Sequence, residues 1–254
     1  MSAPSTRALL SVRELVKDVP VRGRMLRRTV ATRRVLDGIS LDLRSGEALG
    51  LFGDLGFDTF AVGRCILRLD EPTSGSVLFG GEEVTTAAGR RMRSLRRDMQ
   101  FVSTDPVIAL NPRWSAARIL AEPFDIHRDG EDVPAKVDRL LGAVGIDPKQ
   151  RDRKPHEFTL EERQRINIAR ALALRPRLLV LEDPLARLEP AARARVTDLL
   201  EALREQLGVA YLVLGYEPAS VRDLCDRVAV MRLGKIVGVG TRDEMVGSKP
   251  AAGA

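Results

Sequence analysis

Apolar and polar residues alternate along the early part of the chain in the pattern of half-buried β-strands. Residues 34–43, RVLDGISLDL, alternate at a period of two and end at the turn residues Ser45 and Gly46. Two continuous apolar runs, ALGLF at 48–52 and LLVL at 178–181, are typical of strands that are buried on both faces. Further strands are predicted at 77–79, 99–102, 210–214, 227–232 and 235–239.

Helical patterns separate these strands. Apolar residues recur at helical spacing in the middle of the chain, and Pro134 stands where a helix would begin. The predicted helices cover residues 59–69, 116–124, 133–144, 159–174 and 190–207. Strands that alternate with helices, with a helical insertion among them, predict an α/β fold.

The charge of the chain leaves two kinds of partner open. The 41 Lys and Arg residues exceed the 35 Asp and Glu residues, which gives a net charge of +6. Arginine clusters at 22–34 and 90–97 could contact nucleic acid or another anionic surface. Aromatic residues, on which bases would stack, make up only 4% of the chain. We therefore interpret both clusters as solvent-exposed and predict no nucleic-acid partner.

Cysteine content and hydropathy indicate in which cellular compartment the chain is expected. Cys65 and Cys225 form no CxxC pair, so we predict neither a disulfide framework nor a metal site. There is no run of 18 apolar residues, which a transmembrane helix would need. The first residues lack the pattern of a signal peptide. We expect a cytoplasmic chain, with residues 247–254 as a disordered tail.

A buried strand, a glycine-containing loop and a helix at 48–69 form the setting of a phosphate-binding loop. Other segments follow in order: LDGIS (36–40), GEALGL (46–51), RLDEPTSGSV (68–77), DP (105–106), LNPR (110–113), PHEF (155–158), RQRINIARAL (163–172) and DRVAVM (226–231). Through these segments the chain resembles the nucleotide-binding subunits of ABC transporters, especially the oligopeptide, dipeptide and nickel importers. The resemblance implies an α/β P-loop NTPase core of the RecA type with an antiparallel β subdomain. It also implies an inserted helical subdomain at about 104–165, within one domain over residues 1–246.

The phosphate-binding loop departs from the family pattern of G, four residues, then G-K-S/T. Gly53 fits the first glycine, and Gly56 lies within the loop. Asp58, Thr59 and Phe60 replace the second glycine, the lysine and the hydroxyl residue. In the family the lysine holds the β- and γ-phosphates and the hydroxyl ligates Mg²⁺. We expect a loop that keeps its structure and has lost its phosphate chemistry.

The catalytic positions that the resemblance implies are also changed. Glu182 stands at the position of the Mg²⁺-binding aspartate, and Asp183 stands at the position of the glutamate that polarises water. The longer and the shorter carboxylate side chain are therefore exchanged. Thr104 replaces the glutamine of the Q-loop, and Tyr216 replaces the switch histidine. We expect these to be vestigial positions.

The signature loop, S-G-G-Q in the family, contacts the nucleotide of the partner subunit. Here it reads Thr159, Leu160, Glu161 and Glu162. Thr-x-x-Glu is a capping box, which satisfies the first amides of a helix with the helix's own side chains. The family leaves those amides free for a phosphate. We therefore expect Thr159 and Glu162 to fill the anion site.

The resemblance implies a subunit on the inner face of the cell membrane that pairs with a second ABC ATPase subunit and docks on permease subunits. ATP and Mg²⁺ are the family's ligands, and we expect this chain to be a pseudo-ATPase that binds them poorly. A low-activity ATPase and a soluble scaffold remain alternatives. We expect the segment 105–114 and the apolar residues Ile119, Leu120 and Phe124 to contact the permease.

Overall fold

The computed structural model describes residues 8–22, 29–53 and 59–247, and its contacts divide into two compact units. The first unit comprises residues 1–95 and 210–254, and the second comprises residues 96–209. The elements of the first unit are β1 (Leu10–Arg22), β2 (Thr29–Leu43), β3 (Ala48–Gly53), α1 (Thr59–Ile66), β4 (Ser74–Phe79), β5 (Glu82–Glu83), β8 (Ala210–Gly215), α8 (Pro218–Arg222), β9 (Arg227–Arg232), β10 (Lys235–Thr241) and α9 (Arg242–Gly247). Helix α2 (Gly89–Asp98) contains the point where the chain passes into the second unit. The elements of the second unit are β6 (Met99–Val102), α3 (Pro106–Ala109), α4 (Ala116–His127), α5 (Val133–Ala143), α6 (Leu160–Leu172), β7 (Leu178–Glu182) and α7 (Pro190–Leu207).

Two groups of strands build the first unit. One is an antiparallel sheet in the order β2-β1-β4-β5. In the other, β3 lies parallel to both β8 and β9, and β10 pairs antiparallel with β9. Every residue of β8 is buried, and five of the six residues of β3 are buried. The continuous apolar run at 48–52 therefore marks a central strand, as predicted.

The second unit combines a parallel strand pair with helices. Strands β6 and β7 pair in parallel, with Met99 opposite Leu178 and Val102 opposite Leu181. The first four residues of β7 are fully buried, which agrees with the predicted apolar run. Helices α4, α5 and α6 pack on one another. The fold is thus the mixed α/β architecture with an antiparallel β subdomain and a helical subdomain that the sequence predicted.

Most predicted elements are present, with shifted ends. Helix α7 has the predicted bounds, whereas α1 ends at Ile66 instead of residue 69, because Arg68 has a left-handed backbone with φ of 50°. Strand β1 was not predicted, and the predicted strand at 34–43 extends back to Thr29. Gly247 ends α9, and the rest of the predicted tail lies outside the described residues.

The domain bounds 1–246 and the helical subdomain at 104–165 stay predictions. Over the described ranges, no helix is long and apolar enough to cross a membrane.

Candidate functional site

The junction of β3 and α1 carries the predicted phosphate-loop residues of the first unit. Gly53 ends β3, and a Cβ atom there would lie 2.4 Å from the backbone carbonyl oxygen of Met231. Strand packing alone therefore requires glycine at this position. Gly56 and Asp58 were also predicted for this loop, but they lie outside the described residues.

Thr59 and Phe60, at the start of α1, both contact the end of β8. Thr59 is fully buried, and its hydroxyl donates a hydrogen bond to the backbone carbonyl of Gly215 over 3.2 Å. The ring of Phe60 packs against the ring of Tyr216, with 4.6 Å between centroids and an angle of 53° between planes. This tilted arrangement is a favourable one for aromatic pairs. The structure thus brings together Thr59, Phe60 and Tyr216, which the sequence singled out separately.

In the second unit, Thr104 lies beside the end of β7. Its hydroxyl donates a hydrogen bond of 2.8 Å to the backbone carbonyl of Glu182. Asp183, the next residue, is 8% exposed and has a left-handed backbone with φ of 34°. An aspartate tolerates this conformation better than most residues do. The Q-loop position and the two carboxylate positions are therefore neighbours within this unit.

The predicted capping box is present at the start of α6. The backbone amide of Thr159 donates to Oε2 of Glu162 over 2.8 Å. The backbone amide of Glu162 donates to Oγ1 of Thr159 over 3.2 Å. Leu160 is the first residue of the helix and is half-buried. Side chains of this chain itself thus satisfy amides at the helix N-terminus, and this prediction is confirmed.

Glu161 is held by two arginines of the same unit. Its carboxylate accepts hydrogen bonds from Arg195 over 2.5 Å and from Arg165 over 2.8 Å. The hydrogen bond from Arg195, followed by that from Arg165, lowers the pKa of Glu161 below its ordinary value of 4.5. Two arginines on one carboxylate keep it ionised and fixed at the helix start. The sequence showed no sign of this contact with Arg195, which lies 34 residues away.

The predicted docking residues need a correction. Ile119, Leu120 and Phe124 are at most 2% exposed, because they form the inner face of α4. These three side chains belong to the core of the second unit, so the prediction that they contact a permease was wrong for them. Trp114 is half-buried beneath the guanidinium of Arg118, whose Cζ lies 5.1 Å from the ring centroid.

The exposed apolar residues of the predicted docking segment lie on α3. Ile108 is 84% exposed and Val107 is 48% exposed. Asp105 caps this short helix by accepting a hydrogen bond from the amide of Val107 over 2.9 Å, and Arg187 contacts its carboxylate over 2.6 Å. Val107 and Ile108 lie within the predicted segment 105–114, but the sequence analysis did not single them out. The signal was available in the order of residues, since an Asp-Pro helix start is followed at once by two β-branched apolar residues.

Comparisons with known proteins agree with this architecture. The sequence pattern of the ABC transporter family matches residues 36–186. The chain is 36% identical over 248 residues to the oligopeptide transport ATP-binding protein AppF of Bacillus subtilis, with 96% of this chain and 75% of that protein covered. It is 38% identical over 236 residues to the glutathione import ATP-binding protein GsiA of Escherichia coli. That alignment covers 92% of this chain, which spans only 38% of the length of GsiA.

Solved structures share the fold at lower sequence identity. The chain matches cbiO1 of Clostridium perfringens, part of the ABC transporter complex cbiONQ, with a TM-score of 0.79 and 23% identity over 94% of this chain and 91% of that one. It matches the dimeric ATP-binding cassette MJ0796 bound to ADP and Pi with a TM-score of 0.79 and 20% identity, over 92% of this chain and 98% of that one. The family pattern and the relatives together establish that this chain belongs to the ABC transporter family, in its ATP-binding subunit class.

Proposed function

We propose that this chain is a nucleotide-binding-type subunit of an ABC importer for peptide-like solutes, and that it couples a permease to a second, competent ATPase subunit without hydrolysing ATP itself. The chain would work at the inner face of the membrane, where permease loops are accessible. The peptide class rests on the similarity to AppF and GsiA, whose names give oligopeptides and glutathione as their solutes. Nickel stays the other solute class that the sequence analysis left open.

The packing of Phe60 on Tyr216 is the observation that carries the proposal. A hydroxyl at position 60 would ligate Mg²⁺ and a histidine at position 216 would approach the γ-phosphate in the family. Here two aromatic rings 4.6 Å apart stand at those positions; neither supplies a cation, and Phe60 has no oxygen to ligate Mg²⁺. Thr59, at the lysine position, has no charge, and its proton is donated to Gly215. These residues do not fit Mg-ATP as the family holds it.

The start of α6 supports the same conclusion. An anion at a helix N-terminus needs free backbone amides. The capping box of Thr159 and Glu162 satisfies two of them, and the ionised carboxylate of Glu161 adds negative charge to the same turn. Arg165 and Arg195 neutralise that charge, so the occupied amides, and not charge repulsion, oppose a phosphate here. The chain keeps the helix and uses two of its N-terminal amides for its own cap.

Binding of Mg-ATP tests the proposal directly. We expect isothermal titration of the full chain to give no Kd below about 10 μM, which corresponds to about −6.8 kcal/mol. We also expect Thr59→Lys alone to show no magnesium-dependent phosphate release, since Phe60 and Tyr216 remain. A tighter Kd in the unchanged chain, or hydrolysis by the single variant, would contradict the loss of ATP chemistry.

A low-activity ATPase is the second candidate, and one observation favours it. Glu182 and Asp183 keep two adjacent carboxylates at the end of β7, where the family places its catalytic pair. The variant Glu182→Gln with Asp183→Asn separates the two candidates in a strain that carries it as the only copy. Unchanged solute uptake supports the coupling subunit, whereas lost uptake with an unchanged melting temperature supports the ATPase.

A further inference from the structure

The second unit contains a cavity. It has a volume of about 490 Å³ and lies among the ends of α4, α5, α6 and α7. This volume is within the range of about 300–1,000 Å³ that small-molecule sites occupy. None of the predicted ATP-site residues lines it. The predicted ATP site therefore does not account for the cavity.

The floor of the cavity is apolar. Phe124, Ala173 and Leu174 form a buried cluster, against which Leu140 packs, and all four line the cavity. The ammonium group of Lys136 lies 5.1 Å from the ring centroid of Phe124, so a cation stands directly over the aromatic floor. A ligand would meet an apolar surface below and a positive charge above.

The wall carries an excess of positive charge. The lining contains four cations and one carboxylate, that of Asp129; the cations are Arg97, Lys136, Arg139 and Arg175. Asp129 accepts hydrogen bonds from Lys136 over 2.8 Å and from Arg97 over 2.6 Å, and these contacts lower its pKa. Its one negative charge is thus shared by two cations, which leaves the wall with three positive charges in excess.

Arg139 and Arg175 are the two cations that Asp129 does not reach. Both are exposed, and neither forms a side-chain hydrogen bond or ion pair with the parts of the chain that the structure describes. Their donors are therefore available to an anion from outside. Guanidinium groups bind carboxylates and phosphates with paired hydrogen bonds.

We propose that this cavity is a binding site for a small amphipathic anion, an apolar chain or ring that carries one carboxylate or phosphate group. The apolar part would lie against Leu140 and Leu207, two apolar lining side chains that keep exposed surface, and the anionic group would contact Arg139 and Arg175. Charge complementarity selects an anion over a neutral or cationic ligand of the same size. The proposal does not depend on whether the chain hydrolyses ATP.

Titration calorimetry with octyl phosphate as the probe tests the site in the full chain. We expect saturable binding of one molecule per chain, at least about tenfold tighter than that of 1-octanol, because only the phosphate can accept charge-assisted hydrogen bonds. Inorganic phosphate, which lacks the apolar chain, should bind at least about tenfold more weakly as well. Equal binding of 1-octanol, or no saturable binding of octyl phosphate, overturns the proposal.

Two variants and one control localise the binding. Arg139→Gln with Arg175→Gln should weaken octyl phosphate by about tenfold or more. Ala143→Phe, at an exposed lining position, should weaken it by filling the mouth while the charges remain. The control Arg93→Gln with Arg153→Gln removes the same charge from exposed positions that do not line the cavity, and it should bind as the unchanged chain does. An equal loss in the control overturns the proposal.

A structural role for the cations gives a different result. Helices α6 and α7 end at the cavity, and cations near helix C-termini stabilise the helices through the dipole. If that is their only role, Arg139→Gln with Arg175→Gln lowers the melting temperature and the unchanged chain binds no octyl phosphate, which refutes the site.

Sedimentation with phosphatidylglycerol vesicles tells whether the bound anion is a lipid headgroup or a free amphiphile. Co-sedimentation that the double variant loses identifies a lipid headgroup, and octyl phosphate binding without co-sedimentation identifies a free amphiphile.

Discussion

Replacing residues 159–162 by the family's signature sequence should destabilise this protein. The variant Thr159→Ser, Leu160→Gly, Glu161→Gly, Glu162→Gln keeps a hydroxyl at the helix cap and an amide-containing side chain at the third helical position. It removes the contacts of Glu161 with Arg165 and Arg195 and the partial burial of Leu160. The loop would regain the family's signature sequence at the expense of folding stability.

The magnitude follows from three contributions. Two glycines in the first turn cost about 1–2 kcal/mol together relative to ordinary helix residues. The ion pairs of Glu161 are partly exposed, so each contributes about 0.2–1 kcal/mol. Loss of the half-buried Leu160 side chain adds about 1 kcal/mol. The sum, about 2.5–5 kcal/mol, corresponds to a decrease in melting temperature of about 5–20 °C for a chain of this size.

Scanning calorimetry and urea unfolding measure this change, and Glu161→Gln alone isolates the ion pairs. The folded pKa of Glu161 is lowered, so its stabilisation is fully present above the ordinary pKa of 4.5 and is lost as the pH falls through the lowered value. The stability difference between the unchanged chain and Glu161→Gln should therefore be largest near neutral pH and vanish in strong acid. A signature variant that melts at the same temperature as the unchanged chain would falsify the reasoning, as would a Glu161→Gln difference that is independent of pH.

Two further predictions concern the aromatic pair and the docking helix. Phe60→Ala and Tyr216→Ala, combined in a double-mutant cycle of urea unfolding, should show a coupling of about 0.5–1.5 kcal/mol, and additive effects would mean that the ring contact stabilises nothing. Ile108→Asp should change the free energy of unfolding by less than about 0.5 kcal/mol because Ile108 is 84% exposed, yet it should abolish co-purification with permease subunits. The matched variant Ile119→Asp, at a buried position, should unfold the chain, and retained co-purification of Ile108→Asp would exclude α3 from the docking surface.

Features that depend on neighbouring residues could be read from the sequence. The strands β3 and β7 were predicted because continuous apolar runs require burial on both faces. The capping box of Thr159 and Glu162 was predicted because its hydrogen bonds join residues three positions apart, so local backbone geometry alone brings them together. The matched bounds of α7 have the same origin, in the periodic pattern between Pro190 and a helix-ending Gly208.

Features that join distant residues were decided only by the tertiary structure. Phe60 and Tyr216 lie 156 positions apart, and they meet because β3 and β8 are paired in parallel and α1 follows β3 along the chain. The amphipathic pattern of α4 identified an apolar face, but it could not tell whether that face meets the chain's own core or a partner. In the structure, Ile119, Leu120 and Phe124 are buried and Ile108 is exposed. The sequence could not show this, because the free energy gained by burying an apolar side chain does not depend on which surface covers it.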